Sequence, residues 1–265
     1  MSNYIDKNKH AWNLKAGLHV KSEFYDHKSF LAGQNTLKDI ELALLGDVKG
    51  KRILHLQCHF GQDTLSLARM GAVVTGVDLS DVAIGIARDT ATELNLEARF
   101  IACDLYDLPQ HLDETFDMVF TSYGTIGWLP DLDRWAGIVS RYLKPGGSFV
   151  FAEFHPVVWM FDNAFTHVQY RYFKDAAIEE TEEGTYADRD AAVTVETVSW
   201  NHGLAEVIGN LLHKELTLTH FEEYDYSPYA CFHPTEEFEP GKFRIPHLEN
   251  KIPMVYSLKM LKAQE

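Results

Sequence analysis

The sequence has few cysteines, a deficit of basic side chains and no long apolar run, and each shortage excludes a class of protein. Its 265 residues include three cysteines without metal-type spacing, Cys58, Cys103 and Cys231, which predicts reduced thiols in a cytoplasmic protein. No apolar run approaches the roughly 20 residues that a membrane helix needs. Residues 1–13 also lack the apolar stretch of a signal peptide. We therefore expect neither export nor a membrane partner.

Basic residues are outnumbered, with 24 lysines and arginines against 39 acidic side chains and a net charge of −15. Nucleic-acid binding normally needs a basic patch to meet the phosphate backbone, so we expect no nucleic-acid partner. Much of the acid lies in residues 175–190 and 222–225. We interpret these stretches as solvated loops or helix faces.

Glycine is scarce where a nucleotide-binding fold normally concentrates it. Residues 54–64, LHLQCHFGQDT, contain Gly61 as their one glycine, and the Gly-x-Gly-x-x-Gly loop of nicotinamide dehydrogenases is missing. His55 and His59 are four residues apart, but the first lies in a predicted strand and the second in a loop. Since no third ligand is evident, we predict no metal site and a hydrogen-bonded core role for His55.

Strands and helices alternate through the middle of the chain, which predicts right-handed βαβ units and a parallel sheet. The predicted strands span residues 52–56, 72–80, 98–105, 116–124 and 148–156, and the predicted helices span 63–71, 80–95 and 131–147. Ser80 is the expected N-cap of its helix, and Pro145-Gly146-Gly147 are expected to close the third one. Ligands bind beyond the carboxyl ends of such strands, so we expect the site there.

The flanking segments predict additions to this core within one domain. Aromatic pieces at 167–173 and 192–200 predict an inserted hairpin around the acidic loop. A helix, a strand, a long loop and a last strand then complete the sheet. The predicted division of the domain 1–265 is an N-terminal helical cap (1–46), a cofactor-binding core (47–156), an insertion or lid (157–199) and C-terminal strands (200–265).

Five segments in combination resemble the class I S-adenosylmethionine-dependent methyltransferases, and specifically a bacterial small-molecule subgroup. They read ILHLQCHFG, VTGVDLS, ACDLYDLP, FDMVFTSYGTIGWLPD and YLKPGGSFVFAEFHP. The resemblance implies an α/β, Rossmann-like sheet of seven mostly parallel strands with helices on both faces and an antiparallel last strand. It also implies methyl transfer from S-adenosylmethionine, with S-adenosylhomocysteine as product. Where the family has an acid and three alternate glycines, this chain has His55, Gln57, His59 and Gly61.

The strand ends supply the predicted cofactor-binding residues. Asp78 lies 22 residues after Leu56, close to the roughly 20 at which a strand-end acid binds a ribose diol, although it could instead cap the helix beside Ser80. Asp63 and Thr64 could cap the first helix or touch the ligand. The complete predicted set is Gln57, His59, Gly61, Asp63, Thr64, Asp78, Leu79, Asp104, Leu105, Ser122 and Tyr123.

Adenine and the sulfonium have separate predicted partners within this set. Leu79 and Leu105 would line the adenine, and Asp104 would accept a hydrogen bond from its amino group. Ser122 and Tyr123 would lie under the sulfonium, where carbonyls and an aromatic face favour a cation.

Methyl transfer is an in-line displacement that needs a general base only when the acceptor must lose a proton. His155 is the first candidate for the base, followed by Tyr123, with Glu153 and His202 nearby. Aromatic and histidine side chains outside the core could form a lid or acceptor pocket, or could simply pack. These are Trp12, His19, Tyr25, Trp128, Trp200 and His202.

The sequence thus predicts a methyltransferase that acts on a small, partly apolar acceptor, as a monomer or homodimer. The alternative is a non-catalytic protein that binds S-adenosylmethionine or S-adenosylhomocysteine, because the first loop departs from the family pattern. DNA is further disfavoured as an acceptor since the fourth strand ends in TSYG (121–124) rather than in the motif of enzymes that methylate flipped bases.

Overall fold

Strands and helices alternate through the core of the computed structural model, which describes residues 4–264. The strands are β1 (Arg52–Leu56), β2 (Val73–Asp78), β3 (Ala98–Ala102), β4 (Phe116–Ser122), β5 (Leu143–Phe154), β6 (Ile178–Glu183), β7 (Thr194–Ser199), β8 (Leu216–Tyr224), β9 (Glu236–Glu239), β10 (Lys242–Arg244) and β11 (Val255–Lys262). The helices are α1 (Tyr4–His19), α2 (His27–Leu31), α3 (Asp39–Leu45), α4 (Gln62–Arg69), α5 (Asp81–Glu93), α6 (Leu132–Tyr142) and α7 (Leu204–Leu212). The ends of the predicted ranges, residues 1–3 and 265, lie outside the described residues.

One seven-stranded sheet organises the molecule, in the order β3-β2-β1-β4-β5-β11-β8. Strands β1 to β5 pair in parallel, and β11 runs antiparallel to both of its neighbours. Strand order reverses at β1, where β2 lies on one side and β4 on the other, so the carboxyl ends of these strands face one crevice. The predicted Rossmann-like sheet with an antiparallel last strand is confirmed.

The sheet is covered on both faces because its central strands are apolar on both sides. In β1, Leu54 and Leu56 pack in one cluster with residues of α6 and α7 such as Trp135 and Val207. Ile53 points to the other face, where its cluster includes residues of α3 and α4. Because successive residues of β1 point to opposite faces of the sheet, this one strand contributes to the hydrophobic cluster on each face.

The third predicted helix ends earlier than the sequence indicated. α6 stops at Tyr142, and Leu143 already has an extended backbone (φ −83°, ψ 132°). Leu143 pairs with Phe116 of β4, and the Lys144 ammonium lies 2.6 Å from the Asp117 carboxylate. Residues 143–147 thus begin β5 instead of closing the helix, because strand pairing with β4 prevails over the local Pro-Gly-Gly turn chemistry.

The acidic insertion is a strand where a loop or helix face was expected. β6 pairs antiparallel with β7, from Ile178 opposite Ser199 to Glu183 opposite Thr194. Glu180 and Glu182 are half-buried, while Glu179, Thr181 and Glu183 are exposed. The predicted hairpin exists, but its first strand is the acidic segment itself and not the aromatic residues 167–173.

The N-terminal helix is tied to this hairpin through one amide side chain. Asn8 of α1 donates from Nδ2 to the Val198 carbonyl over 2.8 Å and accepts from the Val198 N–H over 2.9 Å. A second hairpin, β9–β10, lies in the long loop before β11 and was not predicted. Among the helices of residues 4–264, none combines the length and apolar character that a bilayer crossing requires.

Candidate functional site

A cavity of about 760 Å³ opens at the carboxyl ends of β1 to β4 and extends under α1 and the β6–β7 hairpin. Its volume falls within the range of roughly 300–1,000 Å³ that is usual for small-molecule and cofactor sites. Ten of the eleven predicted cofactor-binding residues line it. They are Gln57, His59, Gly61, Asp63, Asp78, Leu79, Asp104, Leu105, Ser122 and Tyr123.

The loop after β1 has the backbone of a glycine loop although it holds one glycine. Gln57, His59 and Gly61 all have positive φ, of 54°, 50° and 81°. These are the alternate positions at which the related family carries glycines. A non-glycine residue with positive φ costs roughly 1–2 kcal/mol, so other contacts must hold Gln57 and His59 in place.

Side-chain contacts hold both of these residues. Gln57 donates from Nε2 to the Thr125 carbonyl over 2.8 Å. His59 Nε2 lies 3.0 Å from His19 Nδ1, so one imidazole donates to the other. Burial lowers the pKa of His19 to about 3 and that of His59 well below its usual value, which keeps the pair neutral. The buried Gln57 Oε1 has no hydrogen-bond partner among residues 4–264, and Gln57 is one of the residues that line the cavity.

Gly61 is the member of this loop that a side chain cannot replace. A Cβ built there would lie 2.9 Å from Ala87 Cβ and 2.9 Å from Phe100 Cε1. Its positive φ also disfavours a side chain. Gly61 is the N-cap of α4, and the amide groups of that helix start therefore approach the cavity at a point suited to a carboxylate.

Asp78 fastens the loop and faces the cavity. Its Oδ2 accepts from the His59 N–H over 2.8 Å, and its Oδ1 accepts from the Ser80 N–H over 2.9 Å. Burial raises the pKa of Asp78 to about 6, against the lowering effect of those bonds. Ser80 caps α5 as predicted, accepting from the Ala83 N–H over 3.0 Å. Ser80, and not Asp78, is therefore the N-cap of α5. The ribose role of Asp78 stays a prediction.

Asp104 and its neighbours form the next part of the wall. Asp104 accepts from the Tyr106 N–H over 2.9 Å at the start of a short 3-10 helix. Burial raises the pKa of its carboxyl. The apolar residues Leu79 and Leu105 and the end of β4 at Ser122 complete this side of the cavity. Asp104, Leu79 and Leu105 thus line one cavity, and their adenine role stays a prediction.

The capping interpretation of Asp63 and Thr64 is wrong. No side chain caps α4, since its N-cap is Gly61. Asp63 accepts from Thr36 Oγ1 over 2.5 Å and lines the cavity. Thr64 is buried away from the cavity lining, with its Oγ1 2.8 Å from Nδ1 of His55. His55 is therefore the hydrogen-bonded core histidine that the sequence predicted.

The loop after β4 is held by one buried carboxylate. Glu153 accepts hydrogen bonds from the backbone N–H groups of Gly124, Thr125, Ile126 and Phe154, and from Thr125 Oγ1. Burial raises the pKa of Glu153, and these bonds oppose the rise. Glu153 lines the cavity, but its oxygens are occupied by the loop.

Two predicted catalytic or lid histidines lie outside the cavity lining. His155 Nε2 is 2.8 Å from Glu223 Oε1, and its Nδ1 accepts from the Val157 N–H over 3.2 Å. His202 Nε2 is 2.8 Å from the Leu129 carbonyl, and its Nδ1 is 3.1 Å from Glu206. The structure brings Tyr123, but neither of these histidines, to the cavity.

Several of the aromatic residues predicted to form a lid or to pack lie close together over the loop. The Trp12 ring lies 5.3 Å from His59 and 5.3 Å from Trp128. Tyr25 and Trp200 also line the cavity, whereas His19 reaches it through His59. The Tyr25 hydroxyl lies 2.6 Å from that of Tyr186.

The α1 helix and the β6–β7 hairpin form the cover of the cavity. The polar groups that hold this cover together were not predicted from the sequence. Lys15 is buried, and its ammonium lies 2.7 Å from Glu182 Oε2 and 5.3 Å from the Trp12 ring centroid. Tyr186 and Tyr229 line the cavity from distant loops. Residues 178–183, IEETEE, contain one apolar residue, so the sequence holds no signal for the alternating burial that half-buries Glu182.

Comparison with known proteins agrees with this fold. Residues 53–147 match the family model described as a methyltransferase domain. The chain is 33% identical over 108 residues (41% of its length, 43% of the relative) to a ubiquinone biosynthesis O-methyltransferase of Alkalilimnicola ehrlichii. It is 34% identical over 133 residues (49% and 60%) to an uncharacterized methyltransferase of Synechocystis. The match thus spans about half the length of these curated relatives.

A solved structure extends the likeness to most of the chain. An S-adenosylmethionine-dependent methyltransferase from Mesorhizobium loti superposes with a TM-score of 0.59 and 23% identity, over 88% of this chain and 100% of that one. The chain has the fold of the class I S-adenosylmethionine-dependent methyltransferases, and its residues 53–147 match the methyltransferase domain model. The predicted resemblance is confirmed, and the cofactor that it implied agrees with these matches.

Proposed function

We propose that this chain transfers a methyl group from S-adenosylmethionine to a small, partly apolar acceptor by in-line displacement. The observation that carries the proposal is the continuous cavity of about 760 Å³ that joins the ends of β1 to β4 to an aromatic cover. Such an enclosure can align a nucleophile with a methyl group and exclude water, which is most of what this reaction requires.

The residues present fit the cofactor. Asp78 offers carboxylate oxygens to a ribose diol, and Gln57 lines the same cavity. Asp104, between Leu79 and Leu105, suits the adenine amino group. The N-terminus of α4 suits the carboxylate. The sulfonium supplies an activated methyl carbon, and the chain's residues bind, orient and enclose it.

Charge and shape favour a small acceptor over nucleic acid. The net charge of −15 repels a phosphate backbone. The cover includes Trp12, Trp128, Tyr186 and Trp200, whose rings suit a partly apolar molecule. The relative named as a ubiquinone biosynthesis O-methyltransferase is consistent with an acceptor of this size.

Isothermal titration calorimetry with S-adenosylmethionine and S-adenosylhomocysteine tests the proposal. We expect both ligands to bind, and binding to be weakened in Asp78→Asn. A purified, folded protein that binds neither ligand at millimolar concentration would refute it.

A non-catalytic cofactor-binding protein is the second candidate function. Two of the predicted bases are engaged elsewhere, His155 by Glu223 and Glu153 by the loop at 124–126. Release of S-adenosylhomocysteine in the presence of small acceptors would exclude this candidate. Binding without turnover across a broad set of metabolites would favour it.

A further inference from the structure

A buried carboxyl group lies directly behind Tyr123 and has no part in the function proposed above. Glu41 of α3 is fully buried, and its Oε2 accepts the phenolic hydrogen of Tyr123 over 2.7 Å. Its Oε1 accepts from the Lys38 N–H over 2.6 Å. Tyr123 lines the cavity and Glu41 does not. The phenol therefore stands between the cavity and a carboxylate.

Tyr123 is held in this position by its backbone and its ring. Its φ is +36°, an unusual value for an aromatic residue. The ring packs against Phe154 at 5.6 Å and Tyr229 at 5.2 Å between centroids. Unusual backbone geometry at a strand end that faces a cavity is common at functional sites.

The groups around Glu41 come from four segments. Asp63 faces it from α4, Tyr123 from the end of β4, Tyr229 from the loop after β8 and Lys38 from the start of its own helix. Burial and the Asp63 charge raise the pKa of Glu41 to about 7, although the bonds from Lys38 and Tyr123 lower it. The carboxyl therefore changes protonation near neutral pH.

We propose that Tyr123 and Glu41 form a proton relay that activates a hydroxyl group of the methyl acceptor. The inference rests on the proposed function. A neutral amine can attack a methyl group with its free lone pair and lose its proton afterwards, whereas a hydroxyl group needs a base during the attack. Tyr123 is the catalytic residue in this relay, and Glu41 is the positioning residue that acts through it.

The proposed step conserves protons and electrons and needs no further reactant. The acceptor oxygen forms its bond to the methyl carbon while the bond from that carbon to sulfur breaks and leaves its electron pair on sulfur. The acceptor's proton passes to Tyr123 Oη as the phenolic proton passes to Glu41 Oε2. One positive charge is lost at sulfur, and one negative charge is lost at Glu41.

The first test compares phenol and aniline as acceptors and measures S-adenosylhomocysteine formation from about pH 5 to 9. We expect phenol to be methylated faster than aniline, with kcat/KM for phenol rising as Glu41 ionises near the pKa of about 7. In Glu41→Gln and Tyr123→Phe, kcat should fall roughly 10²–10⁴-fold with little change in KM, and the rise with pH should disappear. Tyr142→Phe is the control, because its hydroxyl bonds to the Leu112 carbonyl outside the cavity.

The second test does not depend on turnover. Carbon NMR of glutamate-labelled protein should show a carboxyl resonance that titrates near pH 7 and is missing in Glu41→Gln. An unchanged pH profile in Glu41→Gln, faster methylation of aniline, or no resonance of this kind overturns the relay. A protein that binds S-adenosylhomocysteine but does not methylate phenol also overturns it, whereas failure to bind the cofactor refutes the proposed function itself.

Discussion

The two sides of the cavity are built by different means. On the sheet side, backbone geometry dominates: three positive φ angles shape the loop at 57–61, and Asp78 Oδ2 accepts a hydrogen bond from the His59 N–H of that loop. On the cover side, α1 and the hairpin meet through side chains, namely Asn8 with Val198 and Lys15 with Glu182. The first wall therefore depends on local sequence, whereas the cover depends on side chains paired between distant segments. We expect the first to bind the cofactor and the second to vary with the acceptor.

The largest expected effect falls on the backbone side, at Gly61. Gly61→Ala should destabilise the fold by about 2–4 kcal/mol, because the new Cβ meets Ala87 and Phe100 at 2.9 Å and the residue keeps a positive φ. Urea denaturation measures the change. Gly85→Ala is the matched control, since a Cβ there meets nothing within 4 Å in α5, and it should be neutral or stabilising. Equal effects of the two substitutions would contradict the account of this wall.

On the cover side, Asn8→Ala removes both hydrogen bonds to Val198. We expect a local loss of about 2–3 kcal/mol, because the Val198 N–H and carbonyl are left without partners. Amide hydrogen exchange should speed up at Val198 and stay unchanged in β1. Asn210→Ala, which loses one half-buried bond to Glu206, is the control. Slowed or unaltered exchange at Val198 would show that the Asn8 side chain does not hold the cover in place.

The variant Asp78→Asn tests whether the sheet side of the cavity binds the ligand. Affinity for S-adenosylhomocysteine should fall roughly 10–100-fold, since hydrogen bonds to a charged group contribute about 1.5–3 kcal/mol. Calorimetry measures it, with Asp81→Asn on the exposed start of α5 as the control. An unchanged dissociation constant would remove Asp78 from the ribose site.

The same variant should change the pH dependence of stability in the ligand-free protein. The pKa of Asp78 rises from 3.8 to about 6 on folding, so the folded state binds more protons than the unfolded state between these values. Its contribution to the free energy of unfolding is therefore largest below about pH 4 and is lost as pH rises to about 6. The wild type minus Asp78→Asn difference should fall across this window, and a flat difference would contradict the raised pKa.

The smallest stability effects are expected for Gln57→Gly and His59→Gly. Glycine relieves a positive φ that costs roughly 1–2 kcal/mol, while each variant loses one side-chain hydrogen bond of about 1 kcal/mol. Urea denaturation should therefore show changes within about 1 kcal/mol. Cofactor affinity tests both residues, because Gln57 Oε1 and His59 Nδ1 are each buried without a hydrogen-bond partner among residues 4–264, and a loss of binding in either variant would assign that side chain a role. Equal affinities in both variants and the wild type would make these residues tolerated replacements of glycine.

Features set by neighbouring residues could be predicted from the sequence. The alternation of apolar runs predicted the central strands, and the spacing of Asp78 and Asp104 from the preceding strands placed both at one edge. The cap at Ser80 depends on a bond to Ala83, three residues away. Such features need no knowledge of the rest of the fold.

Features set by distant pairing could not be predicted. Residues 143–147 read locally as a turn, and only the neighbouring β4 makes them a strand. The partner of Tyr123 is Glu41, 82 residues away, and no spacing rule connects them. His155 follows its strand as expected, but β8 supplies Glu223, which lies against its ring.

The position of β11 imposes an order on folding during synthesis. This strand lies between β5 and β8 and pairs with both, so β8 has no neighbour in the sheet until the loop at 225–254 and β11 have been made. Until then one edge of β5 and both edges of β8 are open, and open strand edges are the surfaces most prone to aberrant association. The nascent chain is therefore most exposed to such association after β8 has been made and before β11 pairs with it.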